Sequence, residues 1–338
     1  MATIKDVAKA AGVSIATVSR ALNGSGPLAD ETRERVFAAA DQLGYRRDAR
    51  AAGMRTGRTD TVGLILGDIT NPYFSRLAAY IEEAVERWGK TLQIANAHDN
   101  PYLQARAIKT FVAQRVDGLL VVPPTQPFPE AVVPMHTFWP TVLLDREVPG
   151  QDAPTVTIDT SAALEQLADH LFDVGYRRPA LLVGPTTTST GLQRRQSAHD
   201  ALKRHGYLDL QISETDYSKG HARQVAGQLL VEYCPDVVIC TSNQLTEGLL
   251  GAAKALGLRI GRDLGVATVD DLGWYRVVTP SLTAIEQPLR DLAFTAVDTL
   301  KDAIETSQAQ VPGPHGRIVA AEGRLIIRES TPGPANIY

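Results

Sequence analysis

The chain has only two cysteines in 338 residues, Cys234 and Cys240. Their spacing is neither that of a redox pair nor that of a zinc site, and both read as partly buried thiols in a reducing compartment. No apolar run approaches the roughly eighteen residues that a membrane-crossing helix requires. Lys5, Asp6 and Lys9 interrupt the start of the chain, so no export signal is read there and a cytoplasmic location is expected. Catalytic patterns are missing as well: there is no Gly-x-Ser-x-Gly and no His-Glu-x-x-His, and the seven histidines are scattered. Gly89-Lys90-Thr91 ends like a phosphate-binding loop. However, Ala84 stands where that loop needs glycine, and a strand follows the segment instead of preceding it. The expectation is no enzyme, no cofactor and no metal. Heptads, short repeats and low-complexity tracts are also lacking, which argues against a C-terminal coiled coil.

What is present is an uneven charge. The first sixty residues hold ten Lys and Arg against seven Asp and Glu, a net of +3; with −4 overall, the remainder carries −7. A basic head on an acidic body suggests an anionic partner for the head alone, although a solvated surface gives the same balance. At 44% hydrophobic and 21% charged, the chain can bury a sizeable core.

The head reads as three short helices. Thr3 with Asp6 forms a capping-box-like pair, and Ile4, Val7, Ala8 and Ala11 give one apolar face. Gly12 ends that helix in a tight turn. Ser14 caps a second helix over 15–22, residues 23–27 form a loop, and a third helix runs over 31–43 with Val36, Ala40 and Leu43 facing inward. Helix, glycine turn and helix is the arrangement that reads a major groove. Small Ala8 lets the helices cross closely, and Val18 fills the space between them. Ile15, Ala16, Ser19 and Arg20 are then left outside. Arg20 suits a bidentate contact to guanine, Ile15 and Ala16 suit a thymine methyl, and Ser14, Thr17 and Ser19 suit phosphate oxygens. A three-helix bundle used for protein contacts has the same spacing.

An Arg-rich connector over 46–60 leads into alternating strands and helices. Strands are expected at 62–66, 92–95, 118–122, 142–144, 156–158, 180–183, 237–240 and 266–269. Helices are expected around 73–88, 102–114, 161–174, 192–205, 220–233 and 244–256. Such βα units imply parallel sheets covered on both faces, and there are too many for one small sheet. The fold class is therefore an all-α helix-turn-helix domain followed by an α/β body of two doubly wound parallel-sheet subdomains. Ligands of such bodies bind beyond the carboxyl ends of the strands.

The run from Thr3 to Asn23 (TIKDVAKAAGVSIATVSRALN) resembles the start of LacI/GalR-family repressors. So do 31–36 (ETRERV), 43–45 (LGY), 68–74 (DITNPYF), 115–119 (RVDGL), 175–178 (GYRR), 280–283 (PSLT) and 323–326 (GRLI), in family order along nearly the whole chain. The resemblance implies a transcriptional regulator, a repressor, binding double-stranded operator DNA as a homodimer. It implies a periplasmic-binding-protein-like body sensing a small polar effector: a sugar, sugar acid, phosphosugar or nucleoside. Its domains would be 1–46 for DNA, 47–59 for a hinge helix, and 60–338 for effector and dimer contacts. The body would have one subdomain of 60–159 and 285–317 and another of 160–283 and 318–338, with crossings near 159–161, 282–286 and 316–320. The resemblance adds Asn23, Tyr45, Met54 and Arg55 to the DNA face, with Met54 where the family wedges a Leu into the minor groove. Arg47-Asp48 replaces the usual Pro-Asn, Ala51-Ala52 the usual Ala-Arg, and Ala29 a usual Ser cap that Asp30 can replace.

For the effector, the resemblance carries over Asn71, Tyr73, Phe74, Asp145, Thr190, Arg194, Asn243, Asp270 and Trp274. Arg195 neighbours Arg194 and competes for its role. Gln244 departs from the family's Asn-Asp pair. Carboxylates with an Arg and an Asn satisfy vicinal hydroxyls, Asp145 having oxygens for two of them, while aromatic rings cover apolar faces. Each residue also has a plainer reading: Asp145 or Asp270 as helix caps, Asn71-Pro72 as a turn, and Trp274 as packing. A solute-binding protein or a carbohydrate-acting enzyme are the alternative functions.

Overall fold

The computed structural model describes residues 2–23, 27–45, 59–124, 139–148, 153–309 and 313–334. The chain divides into two compact units, Met1–Thr59 and Asp60–Tyr338.

In the first unit, α1 (Ile4–Ala11), α2 (Ile15–Asn23) and α3 (Asp30–Gln42) enclose a small core of Val7, Ala8, Val18, Ala21, Val36 and Ala40. The Thr3 amide and hydroxyl both donate to Asp6 Oδ2, at 2.8 and 2.7 Å, which orders the first turn. Gly12 adopts φ +65°, where a side chain would be strained, and so turns the chain from α1 to α2. Two expectations fail at α3. Asp30 does not cap the helix: it is the first helical residue and faces Arg33 at 3.8 Å, while Ala29 holds the cap position without a side-chain bond. Leu43 does not face inward but is exposed, because the helix ends at Gln42 before another turn can bring it to the core; Ala39 is buried instead.

The second unit holds two six-stranded sheets. One is built from β1 (Thr61–Leu66), β2 (Thr91–Asn96), β3 (Gly118–Val121), β4 (Thr141–Leu144), β5 (Thr155–Asp159) and β11 (Arg317–Glu322) in the order β11-β5-β4-β3-β1-β2, all parallel. The other is built from β6 (Pro179–Val183), β7 (Gln211–Glu214), β8 (Val237–Cys240), β9 (Gly265–Val269), β10 (Thr283–Glu286) and β12 (Arg324–Ile326) in the order β12-β10-β9-β8-β6-β7, with only the β10–β12 pair antiparallel. Helices α4 (Pro72–Arg87), α5 (Pro101–Ala113), α6 (Ser161–Asp173), α7 (Ser189–Arg204), α8 (Lys219–Glu232), α9 (Asn243–Ala255) and α10 (Leu289–Ala309) connect them. The central strands are buried along their length and read as unbroken apolar runs, as strands covered on both faces must.

Strands β7, β10, β11 and β12 and helix α10 are additions to the elements read from the sequence. The edge strands β7 and β12 are short, and β7 and β11 are half-polar. Helix α10 carries Leu289, Leu292, Ala293, Ala296, Val297, Leu300 and Ile304 at helical spacing, all buried against the first sheet and α4.

The chain passes between the sheets after β5 at Thr160, after β10 at Gln287-Pro288, and at Gly323 between β11 and β12. The last two passages lie beyond the expected positions. They run close together: a methyl group on Gly323 would stand 3.0 Å from Ile285 Cγ2 and 3.1 Å from Thr160 Cγ2, so a side chain there would press on its neighbours.

At the opposite end of the first sheet, a buried lysine joins the starts of three adjacent strands. Lys90 Nζ lies 2.5 Å from Asp117 and 3.1 Å from Asp60, beneath the Trp88 ring at 4.7 Å. The Lys90 and Asp117 side chains are 8% and 3% exposed, whereas Asp60 is 72% exposed. Removing one partner of a buried pair typically costs about 3–5 kcal/mol, whereas an exposed pair contributes at most about 1. Lys90→Met is therefore expected to lower unfolding stability in urea by about 3 kcal/mol or more, and Asp60→Asn by less than about 1 kcal/mol. Equal small losses would show that the Lys90–Asp117 pair holds nothing.

Candidate functional site: an exposed helix and a cavity between two sheets

On the head, α2 presents the expected face. Ser14 Oγ accepts the Thr17 amide at 3.1 Å and lies 2.8 Å from the Thr17 hydroxyl, so the helix start is ordered by its own side chains. Val18 is fully buried and Leu22 packs on the core, which leaves Ser14, Ile15, Ala16 and Arg20 exposed and Thr17 and Ser19 half-buried on the other side. Tyr45 packs partly on the same core, and its amide donates to Ala40 O at 2.8 Å. Asn23 ends α2. Its side chain, and Met54 and Arg55 altogether, lie outside the described residues.

In the body, a cavity of about 430 Å³ opens between the carboxyl ends of the strands of both sheets. From the first sheet's side, Asn71 caps α4 by accepting the Tyr73 amide at 3.0 Å, and this points Tyr73 and Phe74 into the cavity, edge to face at 5.1 Å. Asp145 ends β4 in a left-handed conformation, φ +66°, that turns its carboxylate inward. It accepts the Tyr73 hydroxyl at 2.6 Å on Oδ1. That bond takes up one of the carboxylate's acceptor sites. Burial, then the Asp145 charge, push the Tyr73 phenol well above its ordinary pKa, so it stays a proton donor.

From the second sheet's side come Thr190 and Arg194 of α7 and Asp270 after β9, the last at φ +81°. Arg194 donates to Thr241 O at 3.0 Å and to Gln287 Oε1 at 3.2 Å. Burial opposes its charge, but the carboxylates of Asp270 and Asp145 outweigh burial and raise its pKa. Arg195 is half-buried and lines nothing here, so the structure distinguishes the two neighbours. Gln287 donates to Asp270 Oδ1 at 2.5 Å. Asn243 is fully buried and sits behind the lining. Its side-chain amide donates to Asp270 Oδ2 at 2.9 Å and, across the cleft, to Asn71 Oδ1 at 3.0 Å. Its role is thus to hold two lining residues, and Gln244 faces the cavity in its place. A second bond crosses the cleft, from Arg76 to Asp271 O at 3.0 Å.

Trp274 does not join the lining. It sits on a single helical turn, Gly273–Arg276, and packs edge-on against Tyr275 at 4.4 Å. The aromatic wall comes instead from Tyr217, which sequence reasoning missed because the strand before it, β7, is a polar edge. Arg146 was missed as well. It is 5% exposed, donates to Asp99 at 2.9 Å and Pro123 O at 2.8 Å, and lies 5.9 and 5.7 Å from the Phe74 and Tyr217 ring centres. Its place directly after a strand-ending Asp was the available signal.

The two cysteines differ from expectation. Cys234 is exposed, while Cys240 is buried, and burial pushes its thiol up to about 12. Among the described residues no group of three His, Cys, Asp or Glu is placed to hold a metal, and no helix is long and apolar enough to cross a membrane.

Comparison with known proteins accounts for both parts. Residues 3–48 match the family described as bacterial regulatory proteins, lacI family, and residues 59–320 match the periplasmic binding proteins and sugar binding domain of the LacI family. The chain is 32% identical over 317 residues to the HTH-type transcriptional repressor PurR of Erwinia tasmaniensis, covering 92% of each protein. It is 33% identical over 307 residues to the ribose operon repressor of Bacillus subtilis, covering 90% of this chain and 92% of that one. The solved structure of the lac repressor dimer bound to operator and the anti-inducer ONPF superimposes with a TM-score of 0.83 at 27% identity, over 98% of this chain and 99% of that one.

Proposed function

The chain belongs to the LacI family of bacterial transcriptional regulators, and from that premise we propose that it represses its target operon through α2 and is controlled by an uncharged polyhydroxylated effector in the cavity. In this reading residues 1–46 bind DNA, 47–59 form the hinge, and 60–338 bind effector and dimerise. A homodimer fits because two recognition helices engage two operator half-sites, and the lac repressor is itself described as a dimer on operator. Ser14, Thr17 and Ser19 take phosphates, while Ile15, Ala16 and Arg20 meet base edges, with Asn23, Tyr45, Met54 and Arg55 extending the contact.

One observation carries the effector's chemistry. Five aspartates line the cavity (Asp68, Asp99, Asp145, Asp216 and Asp270) against two arginines, Arg146 and Arg194. Both arginines lie beside carboxylates of the same cavity. A phosphate or carboxylate on the ligand would therefore add negative charge to a surplus of it inside a partly desolvated site. Hydroxyl groups, which both donate and accept, suit the mixed set, and Phe74, Tyr73 and Tyr217 cover the apolar face of a ring. This favours sugars and nucleosides over the sugar acids and phosphosugars that the sequence left open.

Closing the cleft around such a ligand changes how the crossings at Thr160, Gln287-Pro288 and Gly323 sit, and through them the hinge. The coupling expected of such a device is about 1–3 kcal/mol. A thermal-shift panel tests the reading. At one hundred times Kd, a bound ligand adds about 2.7 kcal/mol, a rise of several degrees. Uncharged sugars, polyols or nucleosides should produce that rise, and operator titration with each hit then gives the sign of regulation. Shifts confined to sugar acids or phosphosugars would reject the uncharged effector.

A further inference from the structure

We propose that Tyr73 determines effector specificity by keeping its hydroxyl on Asp145 in the bound state, so that the effector finds the phenol's position on that carboxylate already filled. The proposal rests on the reading of the cavity as a polyol site.

The Tyr73 hydroxyl donates to Asp145 Oδ1 at 2.6 Å, a length typical of a hydroxyl on a carboxylate, and the two residues are 6% and 8% exposed. Both ends of the bond are set by rigid parts of the fold. Asn71 fixes the Tyr73 backbone as the cap of α4, and Phe74 packs edge-on against the Tyr73 ring. Asp145 is held by its left-handed backbone at the end of β4, where its amide donates to Val156 O at 2.9 Å.

The other side of the carboxylate differs. Oδ2 lies 3.7 Å from Arg146 Nε, beyond hydrogen-bond length, and that Nε is buried with no hydrogen-bond partner. A ligand hydroxyl can donate to Asp145 Oδ2. At Oδ1 the protein's own phenol stands in the position of one ligand hydroxyl. A ligand whose extra hydroxyl or hydroxymethyl group falls at the phenol's position would have to displace a bond made entirely within the protein.

Replacing Tyr73 by Phe keeps the ring and removes that oxygen. A buried carboxylate oxygen then lacks its donor, and the vacated space is about that of one hydroxyl group. A ligand group or a water must take it. Because a buried polar group discriminates strongly between a ligand that completes it and one that does not, the change should appear as altered selectivity and not as a uniform loss of binding.

The experiment is calorimetric titration of full-length wild type and Y73F with stereoisomeric aldopentoses and with the aldohexoses that differ from them by one hydroxymethyl group. For at least one pair, Y73F should shift the ratio of affinities toward the hexose by about tenfold or more. Ratios that all stay within about twofold, with the wild type binding sugars normally, would overturn this inference and leave the polyol reading standing. A wild type that binds no uncharged polyol overturns both. If Y73F does not fold, wild-type protein carrying ¹³Cζ-tyrosine at position 73 provides the test. Its resonance should keep the position of a phenol bonded to a carboxylate on adding the tightest-binding sugar, and movement to that of a phenol released from Asp145 would overturn the proposal.

Discussion

Replacing Arg194 by methionine lowers effector affinity by about two orders of magnitude, while the same change at Arg195 leaves it within about twofold. The two residues are adjacent in sequence but differ in what surrounds them. Arg194 is 7% exposed, holds Thr241 O and Gln287 Oε1, and is the positive charge that Asp270 and Asp145 face together. Truncating one member of such a buried set costs about 2–5 kcal/mol, much of it from stranding the partner charges, and about 1.4 kcal/mol is a factor of ten in Kd. Methionine keeps much of the apolar stem and removes only the guanidinium, so the loss reports charge and hydrogen bonding. Arg195 is half-buried and outside the cavity lining. Calorimetric titration of both variants with the effector found in the thermal-shift panel checks the contrast. Equal losses at the two positions would mean that the cavity is not the binding site.

The second large effect is at the head. Arg20→Ala should weaken operator binding by about tenfold or more and relax the preference at a single base pair, because a bidentate Arg–guanine contact is worth about 1–3 kcal/mol of discrimination. Arg20 projects from the exposed face of α2, and nothing in the core depends on it. Its loss should therefore leave the melting of the head unchanged. Substitution at Thr17 or Ser19, read here as phosphate ligands, should instead lower affinity about equally across operator variants. Binding assays against an operator library at fixed salt separate the two patterns. Were Arg20→Ala to lose affinity without changing sequence preference, Arg20 would be a phosphate contact and base reading would have to come from elsewhere on the helix.

These contrasts also show where sequence reasoning reached its limit. The head was legible because its signals are local. Thr3 and Asp6 lie within one turn, Ser14 precedes the helix it caps, and Gly12 marks the tight turn between the first two helices. Asn71 before Pro72 likewise announces the cap that aims Tyr73 and Phe74 into the cavity. Arg194, Thr190 and Asp270 were found because they follow strands or occupy positions with clear counterparts in the family.

What stayed hidden depends on packing between distant elements. Whether Asn243 faces a ligand or braces two lining residues is decided by Asn71, 172 positions away, and by Asp270. Whether Trp274 stacks on a ligand or on Tyr275 depends on one short helical turn. Tyr217 was lost with β7, whose polar Gln211–Glu214 segment pairs only along one edge and gives no alternation to read. The Tyr73–Asp145 bond joins residues 72 apart and takes up one acceptor site of the carboxylate that the family resemblance assigned to a ligand. At α3 the opposite happened: a plausible cap, Asp30, became the first helical residue because the backbone enters one residue earlier, at Ala29.

The central claim is that filling the cavity changes the grip of α2 on DNA. A closed thermodynamic cycle tests it most directly: effector affinity measured with and without saturating operator, and operator affinity measured with and without saturating effector, in one buffer at one salt concentration. Linkage requires the two ratios to be equal, and coupling of about 1–3 kcal/mol makes each of them about 5- to 150-fold. A chain that binds both ligands with ratios of one in each direction would contain two independent sites, and the account of it as a ligand-controlled regulator would be contradicted.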